Sequence, residues 1–140
     1  LISDELVVCA REAYPLARRP NITIEELLGL TWALPPALAM ARKKLDGKLI
    51  GQGFQPAIAE VTSSSQTFLF NLVQLKDVLM YTTRKEVESL AHLGVIELDV
   101  PALLSTREAG VISRNPRLLS QSAEFIIQQV RDYCLNIPNN

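Results

Sequence analysis

The sequence predicts an α/β domain in which a mostly parallel sheet is covered by helices on both faces. Short apolar runs rich in β-branched residues alternate with helical stretches, which is the pattern of consecutive βαβ units. Glycine and proline separate most of these runs from the next one. The chain has 140 residues, 48% hydrophobic and 21% charged, so it is long enough to bury a core and is not expected to be disordered.

The first half of the chain is predicted to contain three strands and two helices. Apolar runs predict strands at 5–10, 31–34 and 57–62, and prolines make 11–21 a loop. Thr23 and Glu26 have the spacing of a capping box, which begins a short helix that Gly29 ends. A longer helix over 37–50 is expected to bury one apolar face, formed by Leu38, Ala41, Leu45 and Leu49.

The second half is predicted to continue the alternation. A helix over 66–75 follows a serine-rich turn, and a helix over 84–92 begins at a second capping box. Strands are expected at 77–81, 95–100 and 109–113, and 101–106 is expected to be a loop. A final helix over 120–134 follows Pro116, and the tail 137–140 is expected to fray. The inward-facing residues of the first and last of these helices are predicted to be Phe68, Leu69, Leu72 and Val73, and Phe125, Ile126, Val130 and Tyr133. Phe70 falls off the predicted face and is open to an intermolecular contact.

Charge and cysteine content exclude several classes of protein. The net charge is -1 and the pI is near 5.9, so no overall basic field would attract nucleic acid. Cys9 lies in an apolar run and is predicted to be a buried free thiol, which suits a cytoplasmic protein. No Cys or His spacing indicates a metal site, and no cofactor is expected. No apolar run approaches the ~18 residues that span a membrane, and no secretory leader is visible.

One stretch of polar residues is a candidate ligand site. Ser63, Ser64, Ser65 and Gln66 end a predicted strand and begin a helix, where free backbone N–H groups and hydroxyls meet. Ligands of open α/β sheets bind at the carboxyl ends of the strands, so Pro36 and Ala37 would form an adjacent wall. The alternatives are a plain serine cap and a structural turn. No catalytic set is found, because His92 ends a charged helix and Gly51-x-Gly53 also ends one.

The order of these elements resembles the effector-binding domain of LysR-type transcriptional regulators. Six segments carry the resemblance: Glu5-Leu6-Val7-Val8-Cys9-Ala10, Tyr14-Pro15-Leu16-Ala17-Arg18-Arg19, Thr23-Ile24-Glu25-Glu26-Leu27, Trp32-Ala33-Leu34-Pro35-Pro36, Glu60-Val61-Thr62-Ser63-Ser64, and Gly110-Val111-Ile112-Ser113 with the helix behind it. Three positions depart from the family pattern: Tyr14 stands where His is frequent, Leu75–Leu79 lacks a glycine pair, and Tyr81-Thr82-Thr83 replaces Leu-Pro.

The resemblance implies a Rossmann-like fold of the periplasmic-binding-protein type II and a sensor that is not an enzyme. Residues 1–10 would be a hinge strand, 11–106 the second effector-binding subdomain, and 107–140 the return strand and last helix of an incomplete first subdomain. A small anionic metabolite would bind between the subdomains. An upstream helix-turn-helix would contact DNA, and the protein would form a dimer or tetramer. No membrane would be a partner. The alternatives are a solute-binding protein of the same architecture and, third, a flavodoxin-like enzyme; the upstream sequence distinguishes the first two.

Overall fold

The computed structural model describes residues 2–113 and 119–136. It divides into two compact units, Glu5–Thr106 and Leu1–Asp4 with Arg107–Asn140. The functional division into a hinge strand (1–10), an effector subdomain (11–106) and a return segment (107–140) stays a prediction. Pro116 and the tail 137–140 lie outside the described residues.

The strands are β1 (Ile2–Arg11), β2 (Trp32–Leu34), β3 (Ala59–Thr62), β4 (Met80–Thr83), β5 (Val95–Glu97) and β6 (Ser105–Ala109). The larger unit is built on two sheets, β4-β1-β5 and β2-β3, which an isolated parallel bridge between Trp32 and Leu79 joins in the order β3-β2-β4-β1-β5. Strand β1 pairs antiparallel with β4 and with β5, whereas β2 pairs in parallel with β3. Two backbone hydrogen bonds of 2.9 Å, from Ala33 N–H to Leu79 and from Leu79 N–H to Thr31, join β2 to the chain ahead of β4. Strands β2 to β5 therefore run in one direction with β1 reversed among them, which confirms the mostly parallel sheet. Strand β6 also pairs with β1.

Helices follow the strands in the predicted order. They are α1 (Ile24–Leu27), α2 (Met40–Gly51), α3 (Gln66–Leu75), α4 (Arg84–Ser89) and α5 (Gln121–Leu135), with 3₁₀ turns at Ala91–Leu93 and Pro101–Leu103. Both predicted capping boxes are confirmed. The Glu26 carboxylate accepts a hydrogen bond of 2.9 Å from the Thr23 N–H, and Glu86 accepts one of 3.3 Å from the Thr83 N–H.

The core lies on both faces of the sheet because successive side chains of a strand point to opposite sides. On β1, Leu6, Val8 and Ala10 pack in one cluster, and Val7 and Cys9 pack in the other. Helices α1 and α2 cover the first face, and α3 and α4 cover the second. The helix residues buried there are Ile24, Leu27, Leu45 and Leu49 on the first face, and Leu69, Phe70, Val73 and Val87 on the second.

The structure corrects two predicted helix faces. Helix α2 begins at Met40, three residues later than predicted, so Leu38 lies ahead of the helix and is 83% exposed. In α3 the predicted bounds are right, but Phe68 is half exposed while Phe70 is buried. Phe70 packs beside Leu69 and Val73 in the core, so of the two roles left open for it the structure favours the core over an intermolecular contact.

The last part of the chain also differs from the predictions. The final strand is Ser105–Ala109, and residues 110–113, predicted to be strand from Val111 and Ile112, are not. The more polar segment forms the strand because it is the one that meets β1. Helix α5 begins one residue after its predicted start, with Ser120 as its N-cap. Its apolar residues were expected to pack inward, but all four are exposed: Phe125, Ile126, Val130 and Tyr133.

Candidate functional site

The carboxyl ends of the parallel strands bring the predicted site residues to one edge of the sheet. Leu34 and Thr62 pair at the ends of β2 and β3, and the Ser63 N–H donates a hydrogen bond of 3.3 Å to the Leu34 carbonyl. The loop that carries Pro36 and Ala37 therefore starts beside the serine turn. Pro36, Ala37, Ser64 and Ser65 are exposed, and Ser63 and Gln66 are half-buried.

The serine turn (Ser63–Ser65) is held by its own hydrogen bonds. Ser65 is the N-cap of α3, and its Oγ accepts a hydrogen bond of 3.2 Å from the Phe68 N–H. The Ser63 Oγ accepts one of 3.1 Å from the Ser65 N–H. The N–H groups of Gln66 and Thr67, in the first turn, have no acceptor within the helix. Serine hydroxyls that accept a bond still carry a proton to donate, so the turn retains donors for a ligand.

The Gln66 side chain donates its hydrogen bonds to neighbouring protein groups and does not point to a ligand. Its Nε2 donates to Thr82 Oγ1 at 2.9 Å and to the Glu86 carboxylate at 3.5 Å. The hydroxyls of Thr82 and Thr83 donate to the same carboxylate. Gln66 therefore joins the start of α3 to the end of β4, and its backbone N–H is the group left for a ligand.

An ion-pair cluster lies at the ends of β4 and β5. The Arg84 guanidinium donates two hydrogen bonds of 2.8 Å to Glu97 and also forms an ion pair with Glu5. Arg84, Glu97 and Asp99 line a cavity of about 180 Å³. Because two carboxylates face one guanidinium, this part of the edge carries no surplus positive charge.

Sequence reasoning missed this cluster, although one signal was present. The Thr83 capping box places Arg84 directly after a strand, at the same edge as the serine turn. The partner Glu97 could not be found from spacing, since its contact with Arg84 depends on β1 separating β4 from β5.

The remaining reactive side chains offer no catalytic centre at this edge. Tyr81 is buried and its hydroxyl donates a hydrogen bond of 2.6 Å to the Leu103 carbonyl; burial raises its pKa to about 12. His92 is exposed, as predicted. Across the described residues, no His, Cys, Asp and Glu side chains are grouped to hold a metal ion. Nor does that part of the chain contain a helix with the length and apolarity to cross a membrane.

Known proteins resemble the chain in family and in fold. The family model of the LysR substrate binding domain matches residues 1–135. No curated protein matches the chain in sequence. The regulatory domain of CcmR from Synechocystis PCC6803, in complex with 2-PG, superimposes with a TM-score of 0.77 at 17% identity, covering 98% of this chain and 66% of that one.

Two further solved structures share the fold. Full-length HypT from Salmonella typhimurium, a hypochlorite-specific LysR-type transcriptional regulator, gives a TM-score of 0.71 at 13% identity, with 98% of this chain and 46% of that one covered. The effector-binding domain of QuiR in complex with shikimate gives 0.68 at 18% identity, with 95% and 64% covered. The chain thus spans less than two thirds of the length of each of these proteins.

Proposed function

The chain belongs to the LysR substrate-binding domain family, and on that premise we propose that it senses a small anionic metabolite at the carboxyl-terminal edge of its sheet. The observation that carries the proposal is the serine turn. It begins α3 beside the Pro36–Ala37 loop and presents hydroxyls and helix N–H groups together. Helix N-termini favour negative charge because the unpaired N–H groups and the helix dipole both point at the ligand.

The charges along the edge determine where the anion binds. At the ends of β4 and β5, Glu5 and Glu97 neutralise Arg84, and Asp99 lies beside them. An anion is repelled there and is accepted at the uncharged end, over β2 and β3. The serine turn therefore holds the anionic group with neutral donors, and Pro36 and Ala37 contact the apolar part of the molecule.

The proposed consequence of binding is a change in a DNA-bound regulator. Among the solved structures with this fold, full-length HypT is a LysR-type transcriptional regulator, the regulatory domain of CcmR holds 2-PG, and the effector-binding domain of QuiR holds shikimate. In the proposed cytoplasmic regulator, the effector lies between this edge and a second α/β subdomain. Closure around it shifts the arrangement of DNA-binding heads in a dimer or tetramer.

The test replaces both Ser64 and Ser65 with Ala and measures effector binding by calorimetry. Small carboxylates and phosphates form the ligand panel, with shikimate and 2-PG included. Loss of hydrogen bonds to a charged group weakens binding by ~1.5–3 kcal/mol each. The matched control is Ser120→Ala, because Ser120 caps α5 with the same 3.2 Å bond to a backbone N–H that Ser65 makes.

Both serine variants lose a helix cap, which costs about 1 kcal/mol of stability. Only the Ser64→Ala, Ser65→Ala variant is expected to lose affinity. Unchanged affinity in that variant, measured with a ligand that binds the unaltered chain, would leave Ser65 as a cap and nothing more.

A further inference from the structure

A second recess lies at the opposite edge of the sheet, where β2 and β3 begin. Its volume is about 450 Å³, within the range of ligand pockets. It is formed by α1, the turn after it, and the segment that leads into β3.

The floor of this recess is the hydrophobic core itself. Ile24, Leu27, Trp32 and Leu49 line it, and each is at most 5% exposed. At its rim, Ile58 remains 86% exposed, which is unusual for a branched apolar side chain beside a strand. An apolar molecule in the recess would therefore contact buried side chains below and cover exposed ones above.

One charged residue lines the recess, and a strand irregularity accompanies it. Trp32 pairs with Ala59 and Ala33 pairs with Val61, so Glu60 is the extra residue at the shift in register. Such bulges redirect side chains and occur next to binding sites. Glu60 is exposed, and within residues 2–113 and 119–136 no hydrogen bond or ion pair engages its carboxylate. The lining contains no Lys, Arg or His.

We propose that this recess binds a small amphipathic cation, with an apolar body against Trp32 and Leu49 and an ammonium group at Glu60. Gln55 and Thr31 supply further polar contacts at the rim. An anion is disfavoured because the one charged side chain that lines the recess is negative. The site lies at the other edge of the sheet from the serine turn, so a cation here and the proposed anionic effector do not compete for the same residues.

Trp32 supplies the readout because it is the single tryptophan of the chain. The probes are dansylcadaverine, a cation, with uncharged dansylamide and anionic dansylglycine as controls. Titration of the 140-residue chain with dansylcadaverine is expected to quench tryptophan emission and to sensitise dansyl emission, with saturation. Dansylamide should bind about threefold more weakly, and dansylglycine should bind more weakly than dansylamide.

Substitution of Glu60 tests the charge contact. Glu60→Gln is expected to weaken dansylcadaverine binding about threefold, the size of an exposed ion pair, and to leave dansylamide unchanged. The matched control is Glu88→Gln, which neutralises an exposed carboxylate on α4 outside the recess. Equal affinity for all three probes, or equal effects of the two substitutions, overturns the proposal.

Ala57→Leu narrows the recess while keeping the backbone bonds of residue 57 to Asp46 and Arg42. It should abolish binding of every dansyl probe. The variant should still fold, which its thermal unfolding transition will show. Light scattering completes the test. If no probe binds and the chain is a dimer that Ile58→Lys separates, a second copy covers the recess and the proposal is wrong.

Discussion

Tyr81 illustrates how burial fixes a protonation state inside this domain. Its pKa is raised to about 12 by burial, above the ordinary value of 10.0. The unfolded chain therefore releases this proton at lower pH than the folded chain, and folding stability is lost as pH rises from 10 towards 12. Urea unfolding between those pH values should show the decline, and Tyr81→Phe should make it less steep, with the part due to the raised pKa of Cys9 remaining.

The same substitution has a second expected effect at neutral pH. Tyr81→Phe leaves the buried Leu103 carbonyl without its 2.6 Å hydrogen bond, which lowers the free energy of unfolding by ~1–3 kcal/mol. Tyr133→Phe is the control, because Tyr133 is 72% exposed. Equal stability of the two variants would show that the Tyr81 hydroxyl contributes nothing to the fold.

Cys9 and Cys134 should differ in reactivity. Cys9 is fully buried between two strands, and burial raises the pKa of its thiol, with Glu86 and Glu97 adding to the shift. Because the thiolate is the reactive form, Cys9 should resist a thiol reagent until the chain unfolds, whereas half-buried Cys134 should react in the folded state. Mass spectrometry after a short exposure to iodoacetamide measures this. Labelling of Cys9 at the rate of Cys134 would contradict its burial.

At the scale of secondary-structure elements, two glycines make a matched pair. Gly94 ends the 3₁₀ turn with φ +75, whereas Gly47 lies inside α2, and a Cβ would meet no atom within 4 Å at either position. Gly94→Ala should destabilise the fold by about 1 kcal/mol through its backbone conformation. Gly47→Ala should stabilise it by roughly 0.5–1 kcal/mol by improving a helix interior. Thermal unfolding of both variants measures the two changes in stability. Changes of the same sign would contradict the argument from backbone conformation.

Helix α3 shows how far the sequence alone could predict an element. Its bounds and its Ser65 cap follow from local chemistry and are correct. Its buried face was right at Leu69, Leu72 and Val73 and wrong at Phe68. The helix is apolar on two sides, with Phe68 on one and Phe70 on the other. Periodicity shows that a helix has an apolar side, but only the position of the sheet determines which side is covered.

The residues of the candidate site also differ in whether local sequence could predict them. The serine turn and the Pro36–Ala37 loop were predicted because each follows a strand directly in the sequence. Arg84 and Glu97 were not, because a contact between them requires knowledge of strand order. Strand β6 was placed too late in the chain, since Val111 and Ile112 have higher strand propensity than the residues that pair with β1.

For the whole molecule, the exposed apolar stripe of α5 predicts association. Phe125, Ile126, Val130 and Tyr133 are between 42% and 72% exposed, and contiguous apolar surface of this kind marks an interaction face. Light scattering should therefore give a mass above the 15.5 kDa of one chain. Phe125→Lys should lower it towards that value, whereas Gln128→Lys, at an exposed polar position away from the stripe on the same helix, should not. A stable monomer of the unaltered chain would be evidence against the prediction.

The reversed strand β1 has a consequence for the time course of folding. It is the first element of the chain, yet it lies between β4 and β5, where Cys9 pairs with Met80 and with Glu97. A ribosome releases β1 before β4 and β5, so its apolar segment cannot complete its pairing until both of these strands follow. Such non-local closure is slow and exposes the chain to aggregation meanwhile. Refolding should therefore begin among the local βα pairs and finish when β1 pairs with β4 and β5.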